Sequence, residues 1–199
     1  MPIAIAKSGI SIPAGVHEAV LVSVVDIGTQ ISTLFNNTSR KVILTWEIPS
    51  CLNSDGEPVT ISKFYTLSIS QKAALRRDIE NMLNTKLKEK HLELKDLLGT
   101  PALLQLTKSE NGGKERTLIT AVMQLPNKKK ITPFHDLISF DITDKSIPSG
   151  VADWIKEYIY KSEEWTSGSD GERDSEDDEY PIEEPEEERP VEETVQEPF

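Results

Sequence analysis

Hydrophobic and polar positions alternate along most of this chain, and the alternation predicts strands. Between Arg40 and Ile48, residues Val42, Leu44, Trp46 and Ile48 share one side while Lys41, Thr45 and Glu47 share the other, the period of two of a half-buried strand. Val59, Ile61, Tyr65, Leu67 and Ile69 alternate with Thr60, Ser62, Phe64, Thr66 and Ser68, which predicts a strand over 59–69. Pro49 is expected to end the earlier of these two, and Asn53-Ser54-Asp55-Gly56 supplies a hairpin turn between them. Ahead of both, Val16–Ile27 is continuously apolar around Val20-Leu21-Val22, and a polar loop over 28–39 contains Leu34 and Phe35. Two further strands, 102–108 and 115–125, flank the turn Glu110-Asn111-Gly112-Gly113.

One stretch has a different period. From Ser68 to Gly99, Leu75, Ile79, Met82, Leu83 and Leu87 recur at i, i+4, i+7, i+8 and i+12, one face of a helix. Ser68-Ile69-Ser70-Gln71 matches the S-x-x-Q capping box, so the helix is expected to start near Ser68 or Ser70. Lys86, Lys88 and Lys90 load its C-terminal end, where the dipole favours cations. A second short turn, Leu92–Leu98, ends at Gly99 with Pro101 just beyond. Three strands, a helix and two strands is the element order of the OB-fold, a five-stranded Greek-key barrel. The expected fold class is therefore mainly β with helices: this barrel over 14–130, with its helix between strands 3 and 4, after a loose arm over 1–13. An extension over 131–165 starts irregularly. Ser149 can then cap an amphipathic helix carrying Val151, Trp154, Ile155, Tyr158 and Ile159, which needs an apolar surface and is expected to dock on the barrel.

Charge divides the chain further. The net charge of the 199 residues is -12, but Glu163–Phe199 holds 17 Asp/Glu against only Arg173 and Arg189, a net of -15. The rest has 20 bases and 17 acids, a net of +3. A mildly basic body thus carries a strongly acidic tail, whose segment 166–199 has too few apolar residues to offset the entropy of ordering and is expected to be disordered. Cys51 is the single cysteine, which excludes a disulfide framework and a cysteine-based zinc site and suits a reducing, cytoplasmic compartment. The N-terminus does not read as a signal peptide, and no apolar run approaches the roughly 18 residues a membrane span needs. No membrane association is expected.

Candidate chemistry is sparse. His17, His91 and His135 show no metal-ligand spacing, Cys51 has no sequence partner as a nucleophile, and Gly112-Gly113 lacks the flanks of a phosphate loop. The chain is read as a non-enzyme without cofactor. Single-strand binding needs other parts: cations spaced for phosphates and aromatic faces for bases. The strand 2–3 face and the adjoining loops hold Phe35, Arg40, Lys41, Lys63, Phe64, Lys114 and Arg116, and Lys128, Lys129 and Lys130 follow strand 5. Phe64 stands on an otherwise Ser/Thr face, either as a stacking ring or beneath the C-terminal helix. Trp46 and Tyr65 share faces with core residues and are expected inside.

The acidic run closes with Val195-Gln196-Glu197-Pro198-Phe199, which sets a ring and a carboxylate at one point, suited to an apolar pocket rimmed by Arg or Lys. An OB-like core followed by an acidic tail ending in Pro-Phe resembles single-stranded DNA-binding proteins, particularly those encoded by bacteriophages. The resemblance implies a non-catalytic, sequence-tolerant coat for single-stranded DNA in phage replication or recombination, in the host cytoplasm. It also implies a tail that competes with DNA and recruits replication or recombination proteins through Pro198 and Phe199. A homo-oligomer is compatible with it. Two other readings stand beside it: a protein-interaction adaptor, and a DNA mimic whose tail carboxylates occupy another protein's DNA site.

Overall fold

The computed structural model describes residues 12–32, 37–88, 92–111 and 114–167. Six strands dominate it: β1 (Gly15–Ser32), β2 (Asn37–Leu52), β3 (Pro58–Thr66), β4 (Pro101–Asn111), β5 (Lys114–Gln124) and β6 (Ile138–Phe140). Helix α1 (Ala74–Leu83) lies between β3 and β4 in sequence, and α2 (Asp153–Tyr160) and α3 (Glu163–Thr166) follow β6. The strand order is β3-β2-β1-β4-β5 with antiparallel neighbours, and β6 adds to β1 in parallel. No pairing joins β3 to β5 among the described residues, so the sheet is open where a closed barrel was expected. Helix α1 packs against both β3 and β5.

β1 is the centre of this arrangement. Gly15–Val20 pairs with β4, Val20–Ser32 pairs with β2, and Ser23–Val25 takes β6 along the edge that β4 has left. Register shifts at Leu21/Ser23 and Asp26/Gly28 bend the strand and let it serve partners in sequence. Both faces of the sheet's middle are covered, by two separate apolar clusters. The first joins Leu21, Val24, Leu44, Trp46, Ile61 and Tyr65 to Leu75, Ile79 and Met82 of α1 and to Leu104, Leu106 and Val122 of β4 and β5. The second, on the outer face, sets Val25, Ile27 and Ile43 against Phe140, Ile142, Val151, Ile155 and Ile159. Burial of each such side chain contributes about 1.5–3 kcal/mol, so the extension is held as core and not as a loose appendage.

Several boundaries depart from the expected ones for physical reasons. β2 begins at Asn37 and continues through Pro49 to Leu52, because a bulge between Ile48 and Leu52 spares the ladder bond that proline cannot give. β3 stops at Thr66, short of Ile69. The capping box is not used: α1 starts after Ala73 with no side-chain cap, and the Ser68 hydroxyl accepts from the Ser70 N–H at 3.3 Å. Asn84 turns left-handed at φ 49°, so Leu87 meets the core from outside the helix. Ser149 is likewise not the cap of α2, whose N-cap is Ala152, whereas Ser162 caps α3 by accepting from Trp165 N–H at 3.3 Å. No helix among the described residues is long and apolar enough to cross a membrane.

Candidate nucleic-acid interface

The outer face of β2 and β3 is built from the cross-strand pairs Lys41–Thr66, Ile43–Phe64, Thr45–Ser62 and Glu47–Thr60. The sequence pattern makes the β2 members of this set solvent-facing, but the structure puts the extension over them. Ile43 is buried beneath α2, and Thr45 is buried with its hydroxyl 2.8 Å from that of Ser62. Glu47 is only 1% exposed. Its carboxylate accepts from the Phe134 N–H at 3.0 Å and the His135 N–H at 2.9 Å, and lies 2.7 Å from His135 Nδ1. Burial pushes the carboxyl upward, but the two backbone bonds and the imidazole outweigh it and leave the group below the ordinary carboxylate range.

At the α2 end of this face three rings meet. The Phe64 centroid lies 5.1 Å from that of Tyr158 and 6.1 Å from that of Trp154, and those two are 6.3 Å apart and perpendicular. Phe64 therefore does pack with the C-terminal helix, yet it keeps 38% of its surface, and Trp154 keeps 42%. The two readings of Phe64 merge into one: the helix adds to the aromatic surface instead of covering it. Burial raises the Tyr158 hydroxyl above its ordinary range, Glu157 adds to this, and Arg116 opposes it, which places the exposed Arg116 within electrostatic reach of the cluster. Lys41 Nζ lies 3.4 Å from Thr66 Oγ1 on the same face.

The remaining sequence candidates are dispersed. Arg40 Nε donates to Asp26 Oδ2 at 2.9 Å, its Nη2 bonds the same oxygen, and Asp141 lies 3.6 Å away. The bond to Asp26 raises the guanidinium's affinity for its proton against the opposing effect of burial. Lys63 turns toward α1, where its Nζ is 2.8 Å from Asp78 Oδ2 and 5.2 Å above the Tyr65 ring. The same carboxylate oxygen accepts from Tyr65 Oη at 2.9 Å. Arg40 and Lys63 thus answer buried carboxylates within the fold, which a polarity pattern cannot reveal. Lys129 pairs with Glu18, and Lys130 is exposed. Phe35, Pro198 and Phe199 lie outside the described residues, as do the side chains of Lys114 and Lys128.

No known protein family and no curated protein matches this chain. What the surface can do follows from its own chemistry. Half-exposed rings held in a packed cluster present flat apolar faces without ordering cost, and neighbouring cations answer phosphate. Sequence reasoning did not assign Trp154 and Tyr158 to this surface. Their helical spacing identifies an amphipathic face, but only the docking of α2 on β1 and β2 shows which rings are left beside Phe64. It also overlooked a neighbour of Cys51, whose Sγ lies 3.8 Å from His17 Nδ1 while His17 Nε2 bonds the Pro13 carbonyl at 2.9 Å. An open polar depression between α1 and β5, about 540 Å³, is lined by Glu80, Asn81, Asn84, Thr85, Lys86, Met123 and Gln124 and contains no aromatic side chain.

Proposed function

We propose that this protein binds single-stranded DNA without catalysis and with little sequence preference, in phage replication or recombination, and that its acidic tail competes with DNA and recruits partner proteins. The observation that carries the reading is the half-exposed Phe64–Trp154–Tyr158 cluster on the outer face of β3, with Arg116 in electrostatic reach and Lys41 on the same face. Rings on a sheet face are a sequence-tolerant platform because every base has a π-face. The strand order β3-β2-β1-β4-β5, with α1 set between the β3 and β5 edges, supports reading the body as an OB-fold left open at that seam. A net of -15 beyond Ser162, tethered to a body of +3, supports the competing role of the tail.

The test is a competition between oligo(dT) and duplex of equal length for the full-length protein, at low and moderate salt. Single strands should win, because duplex bases do not offer their faces. Phe64→Ala and Trp154→Ala should each weaken oligo(dT) binding by about 1–3 kcal/mol. Arg116→Ala should flatten the salt dependence by about 0.7 per lost phosphate contact. Equal affinity for both forms of DNA would overturn the reading.

A further inference from the structure

We propose that Phe134 is a second base-stacking station for the same strand, set along β3 from the Phe64–Trp154 platform; this rests on the single-strand reading above. Phe134 is the most exposed large apolar side chain among the described residues, at 62%. Its backbone N–H is nevertheless anchored. Both oxygens of Glu47 accept from the Phe134 N–H, at 3.0 and 3.1 Å, and Glu47 is itself buried beneath the loop. Taking a carboxylate out of water is unfavourable unless it is fully bonded, so the fold fixes with a buried charge a loop whose apolar ring points into solvent. The ring meets His135 edge-on at 5.3 Å between centroids, which steadies its orientation further. Such a ring is preorganised for a flat apolar ligand.

Its position identifies the ligand. Glu47 lies opposite Thr60 and Ile43 lies opposite Phe64, so the anchor of Phe134 and the platform are four residues apart on paired strands. At about 3.3 Å per residue that is about 13 Å along the sheet. On β3 the floor between them is the exposed Thr60 and the half-buried Ser62, whose hydroxyl is 2.8 Å from that of the buried Thr45; both side chains are small and do not block a strand laid across them. At the stacked rise of about 3.4 Å per nucleotide, 13 Å corresponds to about four nucleotides, and to fewer when the strand is extended. Lys130, four positions before Phe134 on the same segment, is exposed and supplies charge for the phosphates. The two stations therefore match an unpaired strand that stacks one base on Phe64 and Trp154 and another, a few nucleotides on, on Phe134.

The experiment titrates fluorescein-labelled dT12 with full-length protein and with the variants Phe134→Ala, Phe134→Trp, Leu137→Ala and Phe64→Ala, and maps ultraviolet cross-links to dT12 by mass spectrometry. Phe134→Ala should weaken binding about 5- to 150-fold, the range of one lost base stack. Phe134→Trp should bind at least as tightly as the parent, and a cross-link should fall on the peptide containing Phe134. Leu137, 48% exposed on the same loop, is the control for general loop shape, and Leu137→Ala should leave affinity unchanged. If Phe64→Ala weakens binding but Phe134→Ala does not, the second station is wrong while the platform stands. If Leu137→Ala weakens binding as much as Phe134→Ala, loop shape and not the ring is responsible, and the station is wrong again. Failure of the parent protein to bind dT12 overturns both readings together.

Discussion

Two glycines share a backbone conformation but not an environment, and substituting each by alanine separates strain from crowding. Gly28 has φ +72° and Gly56 has φ +80°, a region where an L-residue is strained by about 1–2 kcal/mol. A Cβ at Gly56 would meet nothing within 4 Å. At Gly28 it would lie 2.6 Å from Glu164 Oε2 and 2.7 Å from Ser162 Cβ, so the start of α3 must move. That shift disturbs two charge-assisted bonds, from Thr29 N–H and Thr29 Oγ1 to the Glu164 carboxylate, both at 2.7 Å. Losing one of the two, about 2 kcal/mol, on top of about 1 kcal/mol of strain gives about 3 kcal/mol for Gly28→Ala against about 1 kcal/mol for Gly56→Ala. At about 2–4 °C per kcal/mol for a domain of this size, the melting temperature should fall by about 6–12 °C and by about 2–4 °C respectively. Calorimetry reads both. The same Gly28→Ala protein should bind oligo(dT) more weakly, because α3 follows directly on the helix that carries Trp154 and Tyr158. Equal losses of stability at the two sites would refute the claim that α3 is packed against bare backbone at Gly28.

Two further perturbations concern buried charge. Hydrogen bonds from Lys86 and then from the Leu87 N–H, together with Arg76, hold the Glu80 carboxyl at about 2. A folded-state value below the unfolded one contributes stability above about pH 4.5 that is lost as pH falls toward 2. Urea midpoints measured across that window should therefore drop less in Glu80→Gln than in the parent, and identical slopes would show that the network adds nothing. Asp78→Asn keeps an acceptor for Tyr65 Oη but strips Lys63 of its counter-charge. Because Lys63 retains 21% exposure, the loss in urea unfolding should be about 1–3 kcal/mol, below that of a fully buried pair, and no loss would sink this account of Lys63.

The strands were legible because period-two alternation survives wherever one face is buried, as along Val42, Leu44, Trp46 and Ile48. The docking of the C-terminal helix was legible because Val151, Ile155 and Ile159 form an apolar stripe that has to be covered. The second face of the sheet was not. Thr45 and Glu47 read as solvent-facing because polarity does not distinguish a wet carboxylate from one satisfied by the backbone of residues almost ninety positions away. The carboxylates that Arg40 and Lys63 pair with were not legible for the same reason: Asp26 and Asp78 are brought to them by tertiary packing. The capping box at Ser68–Gln71 was a correct local pattern overridden by its surroundings, since the chain is still leaving β3 there and the helix starts only at Ala74. β6 has three residues, too few for any period to show.

The sharing of β1 among three partners fixes an order of events during synthesis. β2 follows β1 at once, β4 begins some eighty residues after the β1 end it joins, and β6 pairs with Ser23–Val25 from positions 138–140. Until the chain reaches Ile159, the outer stripe of Val25, Ile27 and Ile43 has nothing to lie against, and the edge of β1 at Ser23–Val25 has open hydrogen-bonding groups. At about 5–20 residues per second, the interval between completing Ile43 and completing Ile159 is roughly 6–25 s. For that time the nascent protein carries an adhesive apolar band and an unpaired strand edge, the two features that recruit chaperones or drive aggregation. A chain stopped at Lys130 would keep that band uncovered for its whole life.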